Sequence, residues 1–99
     1  MKIKIIYYPP YDSISGKRSE EIKIKESSIS VLDLLQLLII KYPKIKSYIQ
    51  TANDEQLRSQ MNIVADSNLL GINDRIKEDI SKEIKILPPI AGGMEQFSR

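Results

Sequence analysis

The chain has 99 residues, 41% apolar and 28% charged, with a formal net charge of +2; this fits one small folded domain rather than a disordered chain. The absence of cysteine excludes a disulfide and a thiol nucleophile, and the absence of histidine removes the commonest general base and metal ligand. No run reaches the roughly 18 apolar residues of a membrane span, and interspersed Lys and Glu without a basic tract give no nucleic-acid signature.

The opening "MKIKIIYY" alternates, with Ile3, Ile5 and Tyr7 on one side and Lys2, Lys4, Ile6 and Tyr8 on the other. That period predicts a strand, whose polar face is interrupted by Ile6 and Tyr8. Pro9 and Pro10 end its ladder, and "PPYDSISGK" reads as a turn or loop with Gly16 easing the return. "EEIKIKE" alternates again and is expected to bury Ile22 and Ile24 as the second strand of a hairpin. Lys2, Lys4, Lys23 and Lys25 then line one sheet face, which solvent alone accounts for.

Ser30 can cap a helix, with Asp33 three residues on as in a capping box. Leu34, Leu35, Leu38, Ile39 and Tyr42 follow helical spacing, and Leu32, Leu37 and Ile40 widen the apolar stripe. A helix lying on a sheet is expected, part of its flank covered by the following loop, and Pro43 stops it. Ile45, Tyr48 and Ile49 suggest a short turn closing one edge of the core. "MNIVAD" predicts a strand with Met61, Ile63 and Ala65 on one face, joined through Asp66–Asn68 to a short strand in "LLGI". "KEIKIL" alternates and buries Ile84 and Ile86, until Pro88 and Pro89, which lack amide donors, forbid an internal strand.

Two strands, one long helix and several returning strands predict an α+β fold. The arrangement is a β-grasp, a mixed sheet of about four to five strands packed on one main helix. A split barrel or another small α+β roll gives a similar string of elements.

The segment "LPPIAGG" is defined by its backbone. Two prolines favour a stiff extended stem, and Gly92 and Gly93 can enter a slot too narrow for side chains. "EIKILPPIAGG", supported by "MKIKIIYY", "SVLDLLQLLIIKYP" and "NIVADSNLL", resembles the small subunit of molybdopterin synthase and its relatives, the ubiquitin-like sulfur carriers. The likeness runs through Gly93, so the expected organisation is a β-grasp domain over 1–93 with a Gly–Gly arm. Residues 94–99, "MEQFSR", form an extension expected to be disordered or removed. One departure is Ser81 in "EDISKEI", where the family usually has a glycine in the turn before the last strand.

The resemblance implies that the working group is the carboxylate of Gly93. An E1-like enzyme adenylates it with ATP, sulfur transfer leaves a thiocarboxylate, and the arm delivers sulfur inside the large subunit of molybdopterin synthase. The chain then binds no cofactor or metal itself and lacks catalytic side chains, acting as the sulfur-donor subunit of a synthase complex. Pro88, Pro89, Ile90, Ala91, Gly92 and Gly93 form the inserted arm, and Ile6, Tyr8, Leu87 and Ile90 are candidate partner contacts. Met94–Arg99 ties Gly93 into a peptide bond, which implies a tail-processing protease. The location expected is cytoplasmic, with neither nucleic acid nor membrane as partner. Sulfur carriage for thiamine or tRNA thiolation, ubiquitin-like conjugation, and a noncovalent β-grasp interaction module are the alternatives.

Overall fold

Alternating isoleucines build the centre of the sheet. In the computed structural model, which describes residues 1–48, 60–77 and 83–89, β1 (Lys2–Tyr7) buries Ile3, Ile5 and Tyr7 and turns Lys2 and Lys4 to solvent. β2 (Ser19–Lys23) runs antiparallel along one edge of β1, Ile3 facing Ile22 and Ile5 facing Glu20. Ile24, just past β2, is buried, whereas Ile22 is only half-buried.

The segment expected to be a loop after Pro10 contains a helical turn, α1 (Tyr11–Ser15), closed by Gly16 at φ 77°. That left-handed conformation suits glycine, which has no Cβ to clash. The turn forms because Tyr11 belongs to the core, 1% exposed, and its hydroxyl donates to the Gln60 carbonyl at 2.8 Å. Periodicity could not show this, since one buried aromatic makes no repeat.

A short strand, β3 (Ser28–Ser30), precedes the main helix and pairs antiparallel with β6 (Arg75–Lys77), Ile29 facing Ile76. Neither strand is evident in the sequence, because three residues are too few to establish alternation. The main helix, α2 (Val31–Lys41), starts as expected: the Ser30 hydroxyl accepts from the Asp33 amide at 3.1 Å. The Val31 and Leu32 amides donate to the carbonyls of Asp74 and Ile72, so the loop before β6 also caps the helix.

Val31, Leu34, Leu35 and Leu38 bury the inner face of α2, with Leu32, Ile39 and Tyr42 packed around them. Leu37 and Ile40 depart from expectation. They are 40% and 77% exposed on the outer side of the helix, not covered by the following chain. After Tyr42 the chain tightens into a 3-10 helix (Pro43–Tyr48) that buries Ile45. Tyr48 lies against Tyr11 with ring centroids 5.7 Å apart, and Ile49 is outside the described residues.

β4 (Asn62–Ala65) and β5 (Asn68–Leu69) form a hairpin through Asp66 and Ser67, at φ 50° and 71°. Two successive left-handed residues match the right-handed twist of the flanking strands. The expected strand in "LLGI" ends at Leu69, because Gly71 and Asp74 close a turn in which the Asp74 carboxylate accepts from the Gly71 amide at 2.7 Å. Ser81 is outside the described residues.

β7 (Glu83–Leu87) completes the sheet between β1, to which it is parallel, and antiparallel β4. The strand order β2-β1-β7-β4-β5, with α2 across one face, is a β-grasp, the ubiquitin-like fold. Ile84 faces both Ile5 and Ala65, so it occupies the middle of the sheet and the core together. Ile84→Ala should therefore lower unfolding free energy by about 2–5 kcal/mol in urea titration. Ile40→Ala should change it by less than about 0.5 kcal/mol.

Candidate functional site

The C-terminal end of β7 defines the site, because the Pro-Pro-Ile-Ala-Gly-Gly sequence follows from it. The Tyr8 amide donates to the Ile86 carbonyl at 3.0 Å, extending the parallel ladder one step past β1, and Leu87 faces Asn62 across the antiparallel side. The strand ends there because Pro88 and Pro89 have no amide hydrogen to continue either ladder. Pro88 is half-buried and Pro89 exposed. Ile90, Ala91, Gly92 and Gly93, with the Gly93 boundary, lie outside the described residues.

Around this end the sheet presents an outer face fixed by strand parity. Ile6 lies opposite Lys85, Lys85 opposite Val64, and Val64 opposite Leu69. Tyr8 follows Tyr7, which faces Ile86, so Tyr8 and Leu87 stand beside one another. Ile6, Val64, Leu69 and Leu87 are half-buried, and Tyr8 is 37% exposed. The structure thus brings together three of the four expected contacts and adds Val64 and Leu69. Both were accessible to sequence reasoning: once Ile63 and Ala65 face the core, alternation in "NIVADSNLL" sends Val64 outward. Lys4 faces Glu21 and Glu83 lower on this face, its ammonium 3.7 Å from Glu83. Charge there tunes solubility and encounter more than stability.

Beside Pro88 and Pro89 is a cleft of about 320 Å³ whose lining among the described residues also includes Pro10, Tyr11, Ser47, Tyr48 and Gln60. Its wall is aromatic, Tyr11 and Tyr48 meeting edge to face at an interplanar angle of 76°. Burial and the neighbouring Tyr48 push the Tyr11 hydroxyl up to about 12. The cleft was not legible beforehand because its residues come from four separate segments.

A buried carboxylate secures the same end of the fold. Glu20 faces inward because it shares parity with Ile22 on β2, and its side chain is only 8% exposed. It accepts from the Tyr7 hydroxyl at 2.6 Å, the Tyr42 hydroxyl at 2.5 Å and the Lys41 ammonium at 2.5 Å. The Tyr7 and Tyr42 rings meet edge-on at 6.2 Å. Burial opposes the Glu20 charge, but the hydrogen bonds from Lys41, Tyr42 and Tyr7 outweigh it and hold its carboxyl down at about 2. Burial and the bond to Glu20 push Tyr42 up to about 12 and Tyr7 well above the ordinary phenol range. Among the described residues no group of three or more acidic side chains is placed to hold a metal, and no helix is long and apolar enough to cross a membrane.

The β-grasp defined by this sheet order has close counterparts among solved structures. A protein assigned as molybdopterin converting factor subunit 1 from Pyrococcus furiosus superposes with a TM-score of 0.74 at 20% identity, covering 91% of this chain and 99% of its own. The small archaeal modifier SAMP1 from Haloferax volcanii gives 0.72 at 17% identity over 94% of this chain and 100% of its own. SAMP1 from Methanosarcina acetivorans gives 0.65 at 24% identity, with 93% and 96% covered. No family model and no curated protein sequence matches the chain. At these identities the likeness establishes the fold.

The Glu20 cluster makes a signed prediction. The folded pKa of about 2 lies below the ordinary 4.5, so the unfolded chain takes up the proton first as pH falls. The stability Glu20 contributes is complete above about pH 4.5 and is lost as pH drops through about 2. Glu20→Gln should lower stability at neutral pH by about 1–3 kcal/mol and flatten its pH dependence in that window, as read by urea titrations across the range.

Proposed function

We propose that the chain is a ubiquitin-like sulfur carrier working through the main-chain carboxyl of Gly93. The observation that carries this reading is the junction of a β-grasp with its sequence: the central strand β7 ends at a proline pair, and Ile-Ala-Gly-Gly follows at once. The chain has neither a cysteine thiol to carry sulfur nor a histidine, the commonest general base. A carboxylate on a narrow arm needs neither. It attacks the α-phosphate of ATP on an E1-like partner, displacing pyrophosphate and forming an acyl adenylate. A persulfide on the partner then displaces AMP to form an acyl disulfide, and a partner thiol cleaves its S–S bond, releasing the thiocarboxylate and leaving a disulfide on the partner.

The names carried by the structural counterparts, a molybdopterin converting factor subunit and small archaeal modifiers, support the same reading. Delivery of the sulfur to a pterin precursor inside the large subunit of molybdopterin synthase is the favoured use. Thiamine synthesis, tRNA thiolation and isopeptide conjugation employ the same activated end. ATP belongs to the activating partner, and this chain holds no cofactor. Ile6, Tyr8 and Leu87 orient the partner on the outer sheet face, and Ile90 anchors the start of the arm. Pro88 and Pro89 aim the arm, and Ala91, Gly92 and Gly93 are small enough to thread a narrow cavity.

Met94–Arg99 keeps the Gly93 carbonyl in an amide, so activation requires cleavage after Gly93 by a protease. A chain ending at Gly93, incubated with an E1-like enzyme, ATP and a sulfur donor, should release pyrophosphate and gain the mass of one oxygen-to-sulfur exchange. The 99-residue chain should do neither. Equal activity of the two forms would place the reaction elsewhere, and inertness of both would favour a noncovalent interaction module.

A second expectation concerns docking. Ile6→Asp removes an apolar side chain beside Lys85 on the outer face while leaving the buried face of β1 intact. Affinity for the E1-like partner, measured by calorimetry, should fall about tenfold or more. The urea midpoint should move little.

A further inference from the structure

The edge of the sheet at β2 is open among the described residues. β2 pairs with β1 and with no other described strand, so one side of its backbone is left over. The ladder identifies that side. Ile24 exchanges hydrogen bonds with Met1, its amide donating at 2.8 Å and its carbonyl accepting at 2.6 Å, and the Arg18 carbonyl accepts from the Tyr7 amide at 2.8 Å. Antiparallel pairs alternate, so Ile22 and Glu20 between them also direct their main-chain groups to β1. The amides and carbonyls of Glu21 and Lys23 therefore point away from the sheet, and no described group bonds them.

Strand edges are commonly blunted by charge, and β2 carries Glu20, Glu21 and Lys23. Glu20 does not block the edge, because its carboxylate is turned inward to Tyr7, Tyr42 and Lys41. Glu21 and Lys23 are exposed, have opposite signs and flank Ile22 symmetrically. When two β2 strands lie antiparallel with Ile22 opposite Ile22, Glu21 falls opposite Lys23 at both flanking positions. A two-residue slip sets Glu21 against Glu21, or Lys23 against Lys23. A one-residue slip opposes the outward groups to residues already bonded to β1.

The surroundings favour the same neighbour. Lys23 stands opposite Lys2 on β1, a like-charge pair, and a second copy brings a glutamate to its other side. On the inner face Ile22 is half-buried, and Leu37 is 40% exposed. Leu37 shares a flank of α2 with Lys41, four residues on, whose ammonium reaches Glu20 of β2, so this flank overlooks the open edge. The Ile22 pair occupies a non-hydrogen-bonded position, where opposed side chains come closest.

We propose that two copies of the chain associate through β2, antiparallel about a two-fold axis at Ile22, joining their sheets through Glu21 and Lys23. An interface of this kind uses the same patch on both subunits, which the Glu-Ile-Lys order of β2 satisfies. β1 lies between β2 and β7, so the pairing leaves the strand that leads into Pro88 unobstructed and is independent of what the C-terminal arm does.

Sedimentation equilibrium of the 99-residue chain, from about 10 μM to about 1 mM, should show a monomer–dimer equilibrium. Glu21→Lys and Lys23→Glu each put like charges at both cross-strand positions, and each should raise the dissociation constant about tenfold or more. Mixed in equal amounts, the two variants should associate about as well as the parent chain, since every lysine then meets a glutamate. Circular dichroism should show both variants folded, because neither side chain is buried. In a mixture of labelled and unlabelled parent chains, isotope-filtered NOEs should connect Ile22 with Ile22. A chain still monomeric at about 1 mM would overturn the proposal, as would a dimer unchanged by both reversals. Failure of the mixed variants to associate would refute the register. Dissociation by Ile40→Asp, with the reversals silent, would move the interface to the outer face of α2 and sink the β2 pairing.

Discussion

The parallel pairing of β1 with β7 is the constraint on which the rest of the molecule depends. A parallel pair cannot be closed by a tight turn, so the chain between them must cross from one end of the sheet to the other. Here that crossing carries α2, whose inner leucines cover the isoleucines of both strands. The pairing also sets the direction of the chain's departure. β7 leaves the sheet at the end where β1 finishes, among Tyr8, Tyr11 and the C-terminal end of α2, and not at the edge of the fold. A central strand, not an edge strand, thereby leads into Pro88 and Pro89.

The same end is held by an inward-facing charge. Glu20 lies on the edge strand at a position where the alternation asks for an apolar residue. Leaving a carboxylate there unpaired would be expensive, but three donors from β1 and the end of α2 meet it. The cluster ties β2, β1 and α2 together through directional bonds, which isoleucine packing alone cannot provide. Its hydrogen bonds outweigh the desolvation of the charge, so the cluster contributes stability as well as registry. Its position ensures that the elements flanking the arm root keep a fixed geometry.

This division of labour suits the main-chain chemistry proposed for the chain. The side chains build a platform, an outer face on which Ile6, Tyr8, Val64 and Leu87 surround Lys85, and a proline-stiffened exit. The reactive group is proposed to be a terminal carbonyl, which needs narrowness and reach, not a local base.

Residues with a strong repeat were legible from sequence. Ile3, Ile5 and Tyr7, the leucines of α2, and Ile84 with Ile86 each announce a buried face, because period two and period 3.6 are local consequences of backbone geometry. Local chemistry likewise determined the Ser30 cap, the Asp66–Ser67 turn and the end of β7 at Pro88. Tertiary structure alone decided the rest. Tyr11 is buried because Gln60 and Tyr48 happen to meet it, and three-residue β3 and β6 exist only as each other's partners. Leu37 and Ile40 look like core by composition yet face outward, because α2 has a sheet on one side only. Glu20 is the sharpest case: its parity was visible, but its ionised state depends on Tyr7, Lys41 and Tyr42 arriving from distant positions. Repeats record what one segment does to itself; pairing between segments is set by packing, which no local pattern encodes.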